Sequence, residues 1–185
     1  MSIQKSEIQL LVNNNTANAY LASPQDGGPG VLVLHAWWGL KPFFKQVCDQ
    51  LAAQGFTALA PDLYQGQIAA TIDEAKALMD QRDSELMGDI VKAAKDHLVS
   101  LRAEKSIGVL GFSMGASWSL EVAANEPDVV AAVIFYGSGG VDFSNIKAKI
   151  LGHYAEVDEW EPSDEVKAME TEMKAAGLEV TFHTY

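Results

Sequence analysis

Cysteine is nearly absent. Cys48 is the only one in 185 residues, which excludes an intramolecular disulfide and any cysteine-rich zinc site. Basic residues are scarce and scattered: 13 Lys and Arg stand against 25 Asp and Glu, a formal charge of −12. A chain this acidic, without a Lys/Arg cluster, is a poor partner for nucleic acid or an anionic membrane surface. No apolar run approaches the ~20 residues needed to span a bilayer. The opening Met1-Ser2-Ile3-Gln4-Lys5-Ser6-Glu7 lacks a basic segment followed by an apolar one, so no signal peptide is expected. With one unpaired cysteine, these absences predict a cytoplasmic protein. Neither H-E-x-x-H nor a glycine-rich phosphate loop occurs, so no metal and no cofactor is expected. Repeats and Pro/Gly/Ser linkers are also missing, and Gly27-Gly28-Pro29-Gly30 reads as a turn before a strand.

What is present is ordinary for a globular chain: 48% hydrophobic and 21% charged residues. The length predicts one domain over 1–185. Segments 6–12 and 16–23 read as a hairpin turning at Asn13-Asn14-Asn15. Val31-Leu32-Val33-Leu34-His35 is an apolar run typical of a strand buried on both faces. Pro42 opens a helix that Gly55 ends, with Phe43, Val47 and Leu51 on one face. Strands are further expected at 56–60, 106–111, 129–136, 148–154 and 178–185. Thr71 and Glu74 form a capping-box pattern before helix that runs to about 101 and breaks near Asp83-Ser84. Helices are also expected at 114–125 and 161–176. Eight strands alternating with helices imply a mostly parallel α/β sheet covered on both faces, with ligands at the carboxyl ends of its strands.

One of those ends reads Gly111-Phe112-Ser113-Met114-Gly115, a G-x-S-x-G between strand and helix. A nucleophile there sits on a tight, strained turn whose flanking positions leave no room for side chains. The following helix aims its free N–H groups at the site. The plainer reading is that Ser113 only caps the helix.

Three motifs together, Leu34-His35-Ala36-Trp37-Trp38-Gly39, Ala60-Pro61-Asp62-Leu63-Tyr64 and Gly111 to Gly115, resemble the dienelactone hydrolase family of the α/β-hydrolase fold. Ala155-Glu156-Val157-Asp158-Glu159-Trp160-Glu161-Pro162 is similar to that family's acid loop. The likeness implies an eight-stranded sheet and a hydrolase of carboxylic esters or lactones. Three departures stand out. Serine replaces the family's cysteine nucleophile at 113, and Ala36 replaces the glutamate that holds the resting thiol. The two agree, since a hydroxyl is not stored as a thiolate. Gly66 stands where an arginine helps to hold the lactone carboxylate, so strict dienelactone specificity is not implied.

A serine nucleophile needs a base, and the base an orienting acid, in the chain order Ser, acid, His. Glu156, Asp158 and Glu159 are acid candidates, and Asp158 matches the family position. The resemblance assigns the oxyanion hole to the N–H groups of Trp37 and Met114. Trp38, Tyr64 and Tyr136 are candidate pocket residues. The base belongs after the eighth strand, beyond Tyr185. His35, His97, His153 and His183 fall elsewhere and read as structural, with His35 the best substitute. The expectation is therefore a domain lacking its C-terminal loop and helix, with an uncovered apolar strip on the sheet face where the first helix packs. The substrate expected is a small-molecule ester or lactone, cleaved through an acyl-enzyme. The alternatives are a binding module on a hydrolase scaffold that has lost its base, and an acyltransferase or peptidase using the same triad.

Overall fold

The computed structural model describes residues 2–101 and 105–185. Asn13, in the left-handed region at φ 53°, turns β1 (Ile3–Val12) back on β2 (Asn15–Pro24). Asparagine tolerates that conformation better than other side chains do. The chain then enters β3 (Gly30–Leu34), α1 (Pro42–Ala53) and β4 (Thr57–Pro61). Next come α2 (Ile72–Asp80) and α3 (Ser84–Ser100), split where Asp83 accepts a hydrogen bond from Leu86 N–H and starts a new helix. The capping box is formed as expected: Thr71 accepts from Glu74 N–H, and the Glu74 carboxylate accepts from Thr71 N–H. Then follow β5 (Ile107–Phe112), α4 (Met114–Asn125), β6 (Val129–Phe135) and β7 (Lys149–Tyr154), with α5 (Ser163–Ala175) and β8 (Val180–Thr184) last.

The eight strands form one sheet in the order β1-β2-β4-β3-β5-β6-β7-β8. β1 and β2 join it antiparallel, and every pairing from β4 to β8 is parallel. This is the α/β-hydrolase architecture, with α3, α4 and α5 on one face and α1 on the other. All five residues of β4 are buried, as a parallel strand between two layers requires.

The buried face of α1 differs from the sequence reading by one position. Phe44, Cys48 and Ala52 face the sheet, whereas Phe43 is 53% exposed. The sheet opposite offers small residues, Ala22, Ala58 and Ala60, so the helix approaches closely along its narrow ridge. Phe43 sits beside that ridge, edge-on to Phe44 and Phe112 at 5.2 and 5.6 Å.

The α1 layer spans only part of its face. Farther along, Leu110, Val133, Phe135 and Leu151 stay half-buried, a strip that no helix among the described residues covers. A ladder of rings crosses it. Phe112 stacks on Phe135 at 4.9 Å, Phe135 on His153 at 4.7 Å, and His153 on His183 at 5.7 Å.

Candidate active site

Ser113 joins β5 to α4 with φ 52° and ψ −116°, a backbone state that an L residue keeps only when its surroundings force it. The forcing contacts are local. Ser113 N–H donates to the Phe135 carbonyl at 2.9 Å, and its own carbonyl accepts from Ala116 and Ser117 at 2.8 and 3.3 Å. The two glycines of the motif are sterically required. A Cβ on Gly111 would lie 2.0 Å from the Gly115 carbonyl oxygen, and one on Gly115 would lie 2.1 Å from that of Leu34. A third glycine was not singled out by the sequence. A Cβ on Gly137 would sit 2.6 Å from the Ser113 carbonyl oxygen. The capping alternative is not met, because the Ser113 side chain makes no cap hydrogen bond.

Met114 is the first residue of α4, and Trp37 lies in the loop after β3. Neither backbone N–H has a hydrogen-bond partner among the described residues. The Trp37 loop is held by a turn in which Gly39 N–H donates to the Ala36 carbonyl at 3.2 Å. Ala36 itself is buried. The positive end of the α4 dipole favours anionic charge beside Ser113.

Ser113 opens into a cleft of about 340 Å³ whose walls include Trp37, Trp38 and Tyr136. Asp158, Trp160, Glu161 and Ile72 complete it. Asp158 reaches it because its Oδ1 accepts from the N–H groups of Trp160 and Glu161 at 2.8 and 3.2 Å. That tight turn fixes the carboxylate and leaves Oδ2 outside it. It also folds Trp160 back onto Trp37, ring centres 5.4 Å apart. The Glu161 carboxyl is half-buried and accepts from Ser138 Oγ at 3.4 Å. Burial raises its pKa above the ordinary 4.5, and Asp158 and Glu165 add to the rise. Trp160, Glu161 and Ile72 were not predicted as pocket residues.

Of the predicted pocket residues, Trp38 and Tyr136 line the cleft and Tyr64 does not. Tyr64 is buried, with its hydroxyl donating to the Met114 sulfur at 3.3 Å. It supports the residue beside Ser113 from behind. Glu156 and Glu159 lie outside the cleft. A larger cleft of about 730 Å³ lies between α5 and β8. It contains neither Ser113 nor the Trp37 loop, so its size carries no chemistry.

No imidazole lines the Ser113 cleft among the described residues. His35 is fully buried and has both ring nitrogens engaged. Nδ1 lies 2.7 Å from the Ala36 carbonyl, and Nε2 accepts from Leu63 N–H at 3.1 Å. Burial lowers its pKa below 6.5, against the pull of Ala36 and Asp62. His153 sits in the aromatic ladder with Nδ1 3.1 Å from the Tyr185 hydroxyl. His97 lies in the last turn of α3, and His183 is exposed on β8. The described residues contain no cluster of three or more His, Cys, Asp or Glu able to hold a metal ion, and no helix long and apolar enough to cross a membrane.

Known proteins resemble this chain in sequence and in fold. Residues 17–185 match the model of the dienelactone hydrolase family. Protein usf of Aquifex pyrophilus is 38% identical, over 94% of this chain and 80% of its own. A protein of Aquifex aeolicus, provisionally named carboxymethylenebutenolidase, is 37% identical over 83% of this chain and 72% of its own. Among solved structures, a provisionally named dienelactone hydrolase from Klebsiella pneumoniae superposes with a TM-score of 0.85 and 26% identity. That superposition covers 100% of this chain and 86% of the other. A promiscuous phosphotriesterase resembling dienelactone hydrolases superposes at 0.87 with 19% identity, a likeness of fold. By the extent of the family match and the identity to these relatives, the chain belongs to the dienelactone hydrolase family.

Proposed function

We propose that the protein is a serine hydrolase of carboxylic esters or lactones that works through an acyl-enzyme. Ser113 attacks the carbonyl carbon. The N–H groups of Trp37 and Met114 receive the oxyanion, where each such donor is worth about 3–4 kcal/mol of transition-state stabilisation. Asp158 orients an imidazole, which takes the serine proton and passes it to the leaving alcohol. Water then attacks the acyl-enzyme by the reverse path and frees the acid. The imidazole of this scheme is none of His35, His97, His153 and His183, which are hydrogen-bonded elsewhere or lie outside the cleft.

The observation that carries this reading is the state of Ser113. It is strained at φ 52°, makes no cap bond, and opens on a cleft shared with Asp158 and the Trp37 loop. A stabilising role would not require the strain. The test is kcat/KM of the full gene product on simple phenyl esters and lactones, beside Ser113→Ala and Asp158→Asn. The account expects Ser113→Ala to lose at least about a thousandfold, and Asp158→Asn to lose kcat more than KM. Unchanged turnover in Ser113→Ala would refute it.

A further inference from the structure

Three indole rings meet at the Ser113 cleft. Trp37 stands edge-on to Trp38 at 5.6 Å and 78°, and edge-on to Trp160 at 5.4 Å and 67°. Two walls therefore rise steeply from a third, and the Tyr136 phenol adds another ring to the lining. Trp160 is 67% exposed, so a large apolar ring is held in the open at the rim, fixed by the Asp158 turn. Packing a core does not call for such a placement.

The charged groups of the lining are of one sign. Asp158 and Glu161 face the cleft, and no Lys, Arg or His does among the described residues. The Lys41 ammonium lies on the Trp38 ring at 4.7 Å without lining the cleft. Among the described residues the Glu161 carboxylate is hydrogen-bonded at Ser138 and forms no ion pair, and burial, with Asp158 and Glu165 nearby, holds its pKa up. In the mechanism above Asp158 is committed to the imidazole, which leaves Glu161 for the substrate.

Faces of indole and phenol rings attract cations and disfavour anions, most strongly where water is excluded. We infer that this cleft takes esters bearing a positively charged group, of the quaternary-ammonium kind, and discriminates against esters bearing a carboxylate. The inference rests on reading the Ser113 cleft as the substrate site. It departs from the carboxylate-bearing substrate that the name of the Aquifex aeolicus relative denotes.

Three nearly isosteric probes test it without any turnover: choline, the neutral 3,3-dimethylbutan-1-ol, and the anion 3,3-dimethylbutyrate. Binding is read from tryptophan fluorescence, with Trp118, on α4 outside the cleft, as constant background. The expected order is choline tightest by about tenfold over the neutral alcohol, and the anion weakest. Glu161→Gln should erase most of the choline advantage and leave the affinity for the alcohol unchanged. Trp160→Ala should weaken choline more than the alcohol. Equal binding of choline and the alcohol, tightest binding of the anion, or no saturable response to choline would each overturn the inference. Because no step is catalytic, a protein without esterase activity that still ranks the probes in this order would refute the hydrolase reading alone. An active esterase that fails the ranking would refute only the cation preference.

Discussion

Replacing Gly115 with alanine is expected to damage the protein through one atom. The new Cβ would lie 2.1 Å from the Leu34 carbonyl oxygen, 2.6 Å from its carbon and 2.8 Å from the His35 oxygen. Real Cβ contacts essentially never fall below 3.0 Å, and all three neighbours are backbone, so α4 and β3 must part by close to an ångström. Overfilling a packed core costs about 1–3 kcal/mol, and more where no side chain can swing aside. Three backbone neighbours that cannot swing aside put the gross cost just above that range, at about 3–4 kcal/mol. Alanine returns about 1 kcal/mol of helix propensity. A net loss of about 2–3 kcal/mol follows, or a Tm lower by about 4–12 °C for a chain of this size. Gly88→Ala is the control. Its Cβ would meet the Trp118 ring at 3.6 and 3.7 Å, an ordinary contact inside α3, so the same substitution should stabilise by about 0.5–1 kcal/mol. Urea and thermal unfolding followed by far-UV circular dichroism would read both. Gly115→Ala within about 0.5 kcal/mol of wild type, or shifts of the same sign in both variants, would refute the steric account of the elbow.

Tyr154→Phe should cost about 1–2 kcal/mol in urea unfolding, because its buried hydroxyl donates to the Gly137 carbonyl at 2.9 Å and that acceptor would be left unpaired. His35 gives a pH signature. Its folded pKa is held below 6.5 by burial, so the unfolded chain binds the proton first. Stability should fall as pH drops below about 6.5, by at most about 1.4 kcal/mol per pH unit for this ring, and His35→Gln should flatten that slope. Lys95, with its side chain only 6% exposed, holds Asp96 at 2.7 Å and Glu126 at 2.8 Å. Lys95→Met should destabilise by about 1–3 kcal/mol in thermal unfolding, less than a fully buried pair because those carboxylates reach solvent.

The sequence was most legible where sterics leave one solution. Two glycines around Ser113 announce a turn too tight for side chains, and the elbow at φ 52° bears that out. The strand count and the split between α2 and α3 were equally open to reading, since period and caps are local signals. What depended on distant contact was not. The face of α1 was misjudged by one position, because the small residues opposite, Ala58 and Ala60, lie on another strand. Tyr64 was expected at the pocket, but a strand end does not say on which side of Met114 the ring falls. Trp160 meets Trp37 only through the Asp158 turn, a contact that no periodicity announces. The short 3₁₀ turn Phe143–Asn145 was missed for a related reason, since its one strong signal is Asp142 accepting from Ser144 N–H at 3.0 Å.

The central claim is that Ser113 is the group that becomes acylated. Its most direct test treats the full gene product with a fluorophosphonate and locates the adduct by peptide mass spectrometry. The account predicts one adduct on the hydroxyl of Ser113 and none in Ser113→Ala. A folded protein that stays unmodified, or carries its adduct on another residue, would contradict it.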